Sequence, residues 1–380
     1  MTLRSAAPGV MPGTELTRSA ELQAAELPAP HLPGLPELPS RGVHSQLLGR
    51  SLAQLTELSA ELTSYGWRLT QRPGADDQRI RGWLRSDVDT LADVRGLRAE
   101  AAMDPTDDDD GLTPPLVLEL LGPVSLMASL ALPSGEKVLT DHGARRDLAA
   151  SLAVGAAEHI AHVRRACSPS SLTVVISEPD YTRARQGRIP TVSGYRTIRA
   201  IERDEARGQI GMMIEALQQS GVEEILLDLG GVVAAEHLHD FRSLSGTAVS
   251  GFGMDLTRMD ASGWERTAEL VESGATVLAS MLSGAETAAA IYPRSASRSS
   301  MGETVLPEVS DLSRRLRTPW ERLGMPLQGL DQFVLVGSTD RHRGEPARSQ
   351  FATLSEPAAM RVLTRVRDTA EALREQIREA

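Results

Sequence analysis

Apolar positions along the chain follow two periods. Short apolar runs at 116–121, 172–177, 224–229, 247–253, 276–282 and 332–337 alternate with stretches at 141–166, 201–220, 260–273, 308–323 and 356–378, whose apolar residues recur every three to four positions. The runs read as buried strands and the periodic stretches as helices. Their alternation predicts a parallel sheet with crossover helices. Upstream, Leu47, Leu48, Leu52, Leu55, Leu58 and Leu62 predict a helix over 44–63, followed by a short strand at 65–69 and a helix over 76–101. Counting 65–69 and a further strand near Gly9 gives eight strands, the number that closes a (β/α)8 TIM barrel. The expected fold is therefore α/β, a single barrel domain over 1–380 with an N-terminal Pro-rich and helical elaboration.

Two segments interrupt the pattern. The stretch 26–40 contains ELPAPHLPGLPELP, and each of its five prolines removes an amide donor and biases its predecessor to extended geometry. It reads as a rigid, irregular insertion. The second, 102–115, carries the acid run Asp107 to Asp110 and reads as a solvated loop, since calcium-loop spacing is missing. At the other end, Met360, Leu363, Val366, Ala370, Leu373 and Ile377 form an apolar stripe expected to pack on the barrel.

Composition narrows the chemistry. The single cysteine, Cys167, excludes disulfides and thiolate-rich zinc sites. A net charge of −11 argues against a nucleic-acid surface. No run reaches membrane-spanning length and no apolar signal core follows Met1, so no membrane partner is expected and the cytoplasm is the expected address.

In a barrel, chemistry sits just past each strand. Those positions hold Ser125, Glu178, Asp180, Asp228, Asp255, Ser283, Ser338, Thr339 and Asp340. Glu178, Asp228 and Asp255 are the candidate catalytic acids, and Ser125, Ser177, Ser338 and Thr339 the candidate substrate contacts. Glu178 follows a buried apolar strand and precedes Pro179, which predicts that it faces a cleft. Cys167 ends a helix on the face opposite the expected site and reads as a small half-buried filler. His237, His239 and Asp240 are the only alternative metal group the histidines suggest.

Several short pieces, in order, resemble the cobalamin-independent methionine synthase family, which shares a barrel superfamily with uroporphyrinogen decarboxylase. Gly9-Val10-Met11-Pro12-Gly13-Thr14 is similar to the opening motif of its catalytic barrel, Leu121-Gly122-Pro123-Val124-Ser125-Leu126 to its Gly-Pro-Val-Thr strand end, and Ile176-Ser177-Glu178-Pro179 to its Asp-Glu-Pro. Arg188 to Tyr195 resembles a loop of short, single-barrel actinobacterial members. The resemblance implies a thiol acceptor, a folate-like methyl donor and a zinc ion that ionises the thiol, held by His, Glu and two Cys. Here the strand that should carry His-x-Cys reads Leu226-Leu227-Asp228-Leu229-Gly230, and the late strand ends Val336-Gly337-Ser338-Thr339. Neither supplies a zinc ligand. Val10, Ser177 and the neighbourhood of Ser129 depart from the family's acceptor and folate contacts as well. The reading is a methionine-synthase-like protein without a predicted cofactor and without the family reaction, binding a small molecule of the amino-acid thiol or folate-like class. The alternatives are an enzyme that uses Glu178, Asp228 and Asp255 as acid, base or magnesium ligands, a methyltransferase acting from 5-methyltetrahydrofolate to homocysteine through His237, His239 and Asp240, and a decarboxylase-like activity on an anionic tetrapyrrole.

Overall fold

The computed structural model describes residues 2–7, 9–102, 114–231, 235–242, 249–291, 305–338 and 350–380. The expected acidic run Asp107 to Asp110, together with Thr339 and Asp340, lies outside these residues.

The chain opens with β1 (Arg4–Ser5), α1 (Leu16–Glu26) and α2 (Leu47–Gln54), followed by a hairpin of β2 (Ser59–Thr63) and β3 (Gly66–Thr70) and the long α3 (Ala75–Ala102). The alternating part then runs β4 (Leu116–Leu121), α4 (Pro123–Ser129), α5 (His142–Cys167), β5 (Leu172–Ser177), α6 (Tyr181–Arg185), α7 (Arg203–Gln219), β6 (Glu224–Asp228) and α8 (Ala235–Arg242). It ends with β7 (Gly251–Asp255), α9 (Ala261–Glu272), β8 (Thr276–Ser280), α10 (Gly284–Ala289), α11 (Val309–Arg322), β9 (Phe333–Val336) and α12 (Glu356–Glu379). Among the described residues no helix is long and apolar enough to cross a membrane.

Seven strands form one parallel, curled sheet in the order β1-β9-β8-β7-β6-β5-β4. The sheet is barrel-like, but its ladder does not close, which corrects the expected eight-strand count. The strand expected at 65–69 is real, yet it pairs antiparallel with β2 outside the parallel sheet. The helix expected over 44–63 stops at Gln54 for the same reason. Leucine spacing carried the reading past a reversal at Glu57, which has positive φ, and into β2.

Across the open edge lies the proline-rich segment. It makes isolated parallel bridges, Ala6 to Leu32 and Val10 to Glu37 on one side and Gly34 to Val117 on the other. Leu32 donates to the Ser5 carbonyl and accepts from Ala7, Glu37 donates to Gly9, and Val117 donates to Pro33. Proline at every second or third position removes donors that a continuous ladder needs, so the segment touches both edges without becoming a strand. Gln23 of α1 steadies it, its side-chain oxygen accepting from the Gly34 amide at 2.9 Å.

Strand alternation sends every second side chain inward, and their side-chain contacts group these into three tiers. The lowest holds Arg4, Thr173, Glu224 and Thr276, where Glu224 pairs with Arg4 and accepts from both threonine hydroxyls. The middle tier is an apolar cluster of Ala6, Leu32, Val117, Val175, Leu226, Leu278, Val334 and Val336. The upper tier, at the strands' carboxyl ends, is polar: Glu119, Ser177, Asp228, Asp255 and Ser280. Outward-facing residues such as Val174, Ile225, Phe252 and Val277 pack beneath the helices. The α12 stripe is buried at Leu363, Val366, Ala370, Leu373 and Ile377 against α1, α11 and β1, as its spacing implies. Full burial of such side chains contributes about 1.5–3 kcal/mol each.

Candidate functional site at the strand ends

The upper tier is continuous from β4 to β6. Glu119, half-buried on β4, accepts from the Ser177 hydroxyl at 2.5 Å. Ser177 stands in register with Asp228, which is buried and accepts from the Gly230 amide at 2.9 Å, closing a tight turn after the strand. Asp228 also leans over Gly253 of β7, where an added Cβ would come within 2.7 Å of its carboxyl carbon. Asp255 completes the row in register with Ser280, and its Oδ1 accepts from the Thr257 amide and hydroxyl at 3.0 and 2.7 Å. Three carboxylates and two hydroxyls thus line the carboxyl ends of five neighbouring strands. Glu119 and Ser280 were missed by sequence reasoning, which looked past each strand rather than at the inward positions of its carboxyl-terminal half. The two-residue alternation along 116–121 and 276–280 is the signal that could have found them.

Glu178 sits elsewhere. It is fully buried, and its carboxylate accepts from the Val124 amide at 2.9 Å and from the Ser125 amide and hydroxyl at 2.7 Å each. Those donors open α4, so the acid on the β5 end holds down a helix N-terminus from a distant position in sequence. The cleft-facing orientation expected from its setting is not what the geometry gives. Ser125, expected as a substrate contact, is enclosed in the same knot and accepts from the Asp180 amide at 3.0 Å. Burial pushes the Glu178 carboxyl up to about 7, against the opposing pull of Ser125 and the two amides. Asp180 is buried in an ion pair with Arg183 at 2.5 Å.

The remaining expected positions divide between caps and rim. Ser283 is the N-cap of α10 in a capping box with Glu286. Ser338 follows β9, half-buried beside Gly337, whose carbonyl accepts from the Leu282 amide at 2.7 Å. Cys167 ends α5 ahead of β5, on the face opposite the polar tier, and burial pushes its thiol up to about 11. It should therefore resist a thiol reagent such as DTNB in the folded protein near neutral pH and react fully on unfolding; fast native-state labelling would contradict this placement. Among the described residues no group of three His, Cys, Asp or Glu side chains is arranged to hold a metal ion. His237 and His239 sit on α8 without converging on such a group.

No family model and no curated protein matches the chain. Among solved structures, it is similar to a B12-independent methionine synthase from Shewanella sp. W3-18-1 in complex with selenomethionine, with a TM-score of 0.56, 11% identity and 100% of both chains covered. It is also matched, at a TM-score of 0.42, to a family 18 chitinase from Crocus vernus, with 9% identity and 97% of this chain and 98% of that one covered. A GH20 β-N-acetylhexosaminidase from Streptomyces coelicolor A3(2) scores 0.42 at 10% identity, covering 99% of this chain and 69% of that one. At these identities the first of the three shows a shared TIM-like fold, and the other two carry no further weight.

Proposed function

We propose that the chain is a methionine-synthase-like barrel protein, the open edge of its sheet spanned by the proline-rich segment, that binds a small molecule over the polar strand ends and serves as a binding or regulatory protein. The observation that carries this reading is where its chemistry lies. The β6 end offers Asp228, the stretch after β9 offers Gly337 and Ser338, and Cys167 is buried on the opposite face. Those residues do not fit a thiolate-held zinc, so no step of methyl transfer is derived through one. What the strand ends do offer is Glu119, Asp228 and Asp255 beside Ser177 and Ser280, a set of acceptors suited to a ligand's ammonium group. An amino acid of the thiol class, or a folate-like molecule presenting its amino-substituted ring, matches that lining.

A second reading, carboxylate-based catalysis by Glu178, Asp228 and Asp255, draws on one observation: a Glu178 carboxyl poised near 7. Its burial and its three donors favour the binding reading.

Calorimetric titration with homocysteine, methionine and 5-methyltetrahydrofolate tests the proposal. Saturable binding of one of them is expected, weakened about tenfold or more by Asp228→Asn, with less than about a tenth of an equivalent of zinc in protein purified from zinc-supplemented medium. Methyl transfer to homocysteine that a chelator stops and zinc restores would overturn it, and so would absence of binding by all three.

A further inference from the structure

A cavity of about 310 Å³ opens at the strand-end rim between α6 and α8, lined by Arg185, Gln186, Arg203, Glu236, His237, His239 and Asp240. Its size falls at the small end of ligand pockets. Two of its buried groups have unmet hydrogen bonds. His237 is only 3% exposed, yet neither ring nitrogen has a partner among the described residues. The ring is held edge-on to Tyr181 at 5.2 Å, so its position is set by packing. Arg185 donates through Nη1 to the Ile201 carbonyl, while its buried Nε–H finds no acceptor among the described residues. An unmet buried polar group is costly, and a bound acceptor would relieve that cost.

The acidic groups nearby do not fill that role. Asp240 is engaged by Arg203 and by the Tyr181 hydroxyl at 3.4 Å. Glu236 lies 3.9 Å from His237 Nε2, beyond hydrogen-bond reach, and its side chain is largely exposed. Two unmet donors on residues that line one cavity, one of them a permanent cation, call for an anionic acceptor.

We infer that the α6–α8 cavity is a binding site for a small oxyanion, a carboxylate or phosphoryl group, held by Arg185 Nε and His237. The inference stands independently of the ligand proposed for the strand ends. Burial and the Arg185 charge keep His237 below its ordinary basicity, while Glu236 and Asp240 pull the other way. An anion bound beside the imidazole favours its protonated form, so binding takes up a proton and tightens as pH falls. Tyr181 and Arg185 of α6, Arg203 of α7, and Glu236, His239 and Asp240 of α8 are the groups that surround this equilibrium.

Calorimetric titration of the full chain with inorganic phosphate and with glutarate, at constant ionic strength, tests the site. Saturable binding of either probe is expected: phosphate alone assigns a phosphoryl group, glutarate alone a carboxylate, and both a general oxyanion site. His237→Phe keeps the ring contact with Tyr181 and removes the unmet nitrogens, so it should fold with an equal or higher melting temperature while binding at least about tenfold more weakly. Arg185→Gln should weaken binding similarly. Affinity of the wild-type chain for glutarate, whose carboxylates stay mainly ionised in this range, should rise from about pH 8 to about pH 6. The inference is overturned if neither probe binds saturably up to about 10 mM, or if folded His237→Phe and Arg185→Gln bind as the wild type does.

Discussion

Replacing Glu178 by Gln should destabilise the protein by about 2–4 kcal/mol at acidic pH, with a deficit that shrinks as pH rises toward neutrality. The carboxylate accepts three hydrogen bonds on its two oxygens from the start of α4. The protonated carboxyl that the fold holds at acidic pH still offers lone pairs on both oxygens, whereas a glutamine keeps one accepting oxygen and turns an NH2 toward the other donors, so at least one buried donor is left unmet. The pH dependence follows from burial. The Glu178 carboxyl sits at about 7 in the fold against an ordinary value of 4.5, so between these values the folded state holds a proton that the unfolded state has released. That contribution is fully present below about pH 4.5 and is lost as pH rises through about 7, a change on the order of 3 kcal/mol. Gln cannot titrate. Chemical denaturation of both proteins across this range should show the two stability curves converging upward in pH. A difference that stays constant would mean that the three donors keep the carboxylate ionised throughout.

A larger loss is expected from Gly155→Ala. Gly155 lies in the middle of α5, where an added Cβ would fall 1.5 Å from the carbonyl oxygen of Gln54, the last residue of α2. No side-chain rotation relieves a clash with backbone. The two helices must separate, opening the packing of Leu52, Leu148 and Leu152, all buried in the core. The cost should exceed about 4 kcal/mol, and soluble yield should fall with it. Gly208→Ala provides the contrast: it sits exposed on α7 with open space where a Cβ would go. That change should stabilise the protein by about 0.5–1 kcal/mol, because alanine loses less backbone freedom in a helix. Thermal melts of the two variants decide the matter, and similar melting temperatures would refute the close α2–α5 crossing.

The Glu178 knot shows why sequence reading reached the right neighbourhood and assigned the wrong orientation. A glutamate after Val174-Val175-Ile176-Ser177 was bound to lie at a strand end, since the apolar run positions it there. Whether it faced a ligand or another part of the protein depended on Gly122, some fifty residues away in the chain. The absence of a Cβ there leaves room for the carboxylate, which an alanine would meet at 2.2 Å. Ser125 followed Glu178 into the interior for the same reason. Asp228 and Asp255, by contrast, stand on the strands themselves, so alternation alone aims them inward.

The chain's own pattern determined the parallel α/β order, the approximate place of six strands and their crossover helices, the packing of the α12 stripe, and the placement of Cys167 away from the strand ends. These are local properties: a period of two or of 3.6 decides which face of an element is apolar, and a crossover decides which end of the sheet a residue occupies. Tertiary structure alone decided the rest. It placed the proline-rich segment across the open edge of the sheet, paired 59–63 with 66–70 outside it, turned Glu178 onto α4, and left unmet hydrogen-bonding atoms on His237 and Arg185, two residues that line one cavity. Each of those outcomes depends on which distant backbone or side chain arrives within hydrogen-bonding distance, and no periodicity along the chain encodes that meeting.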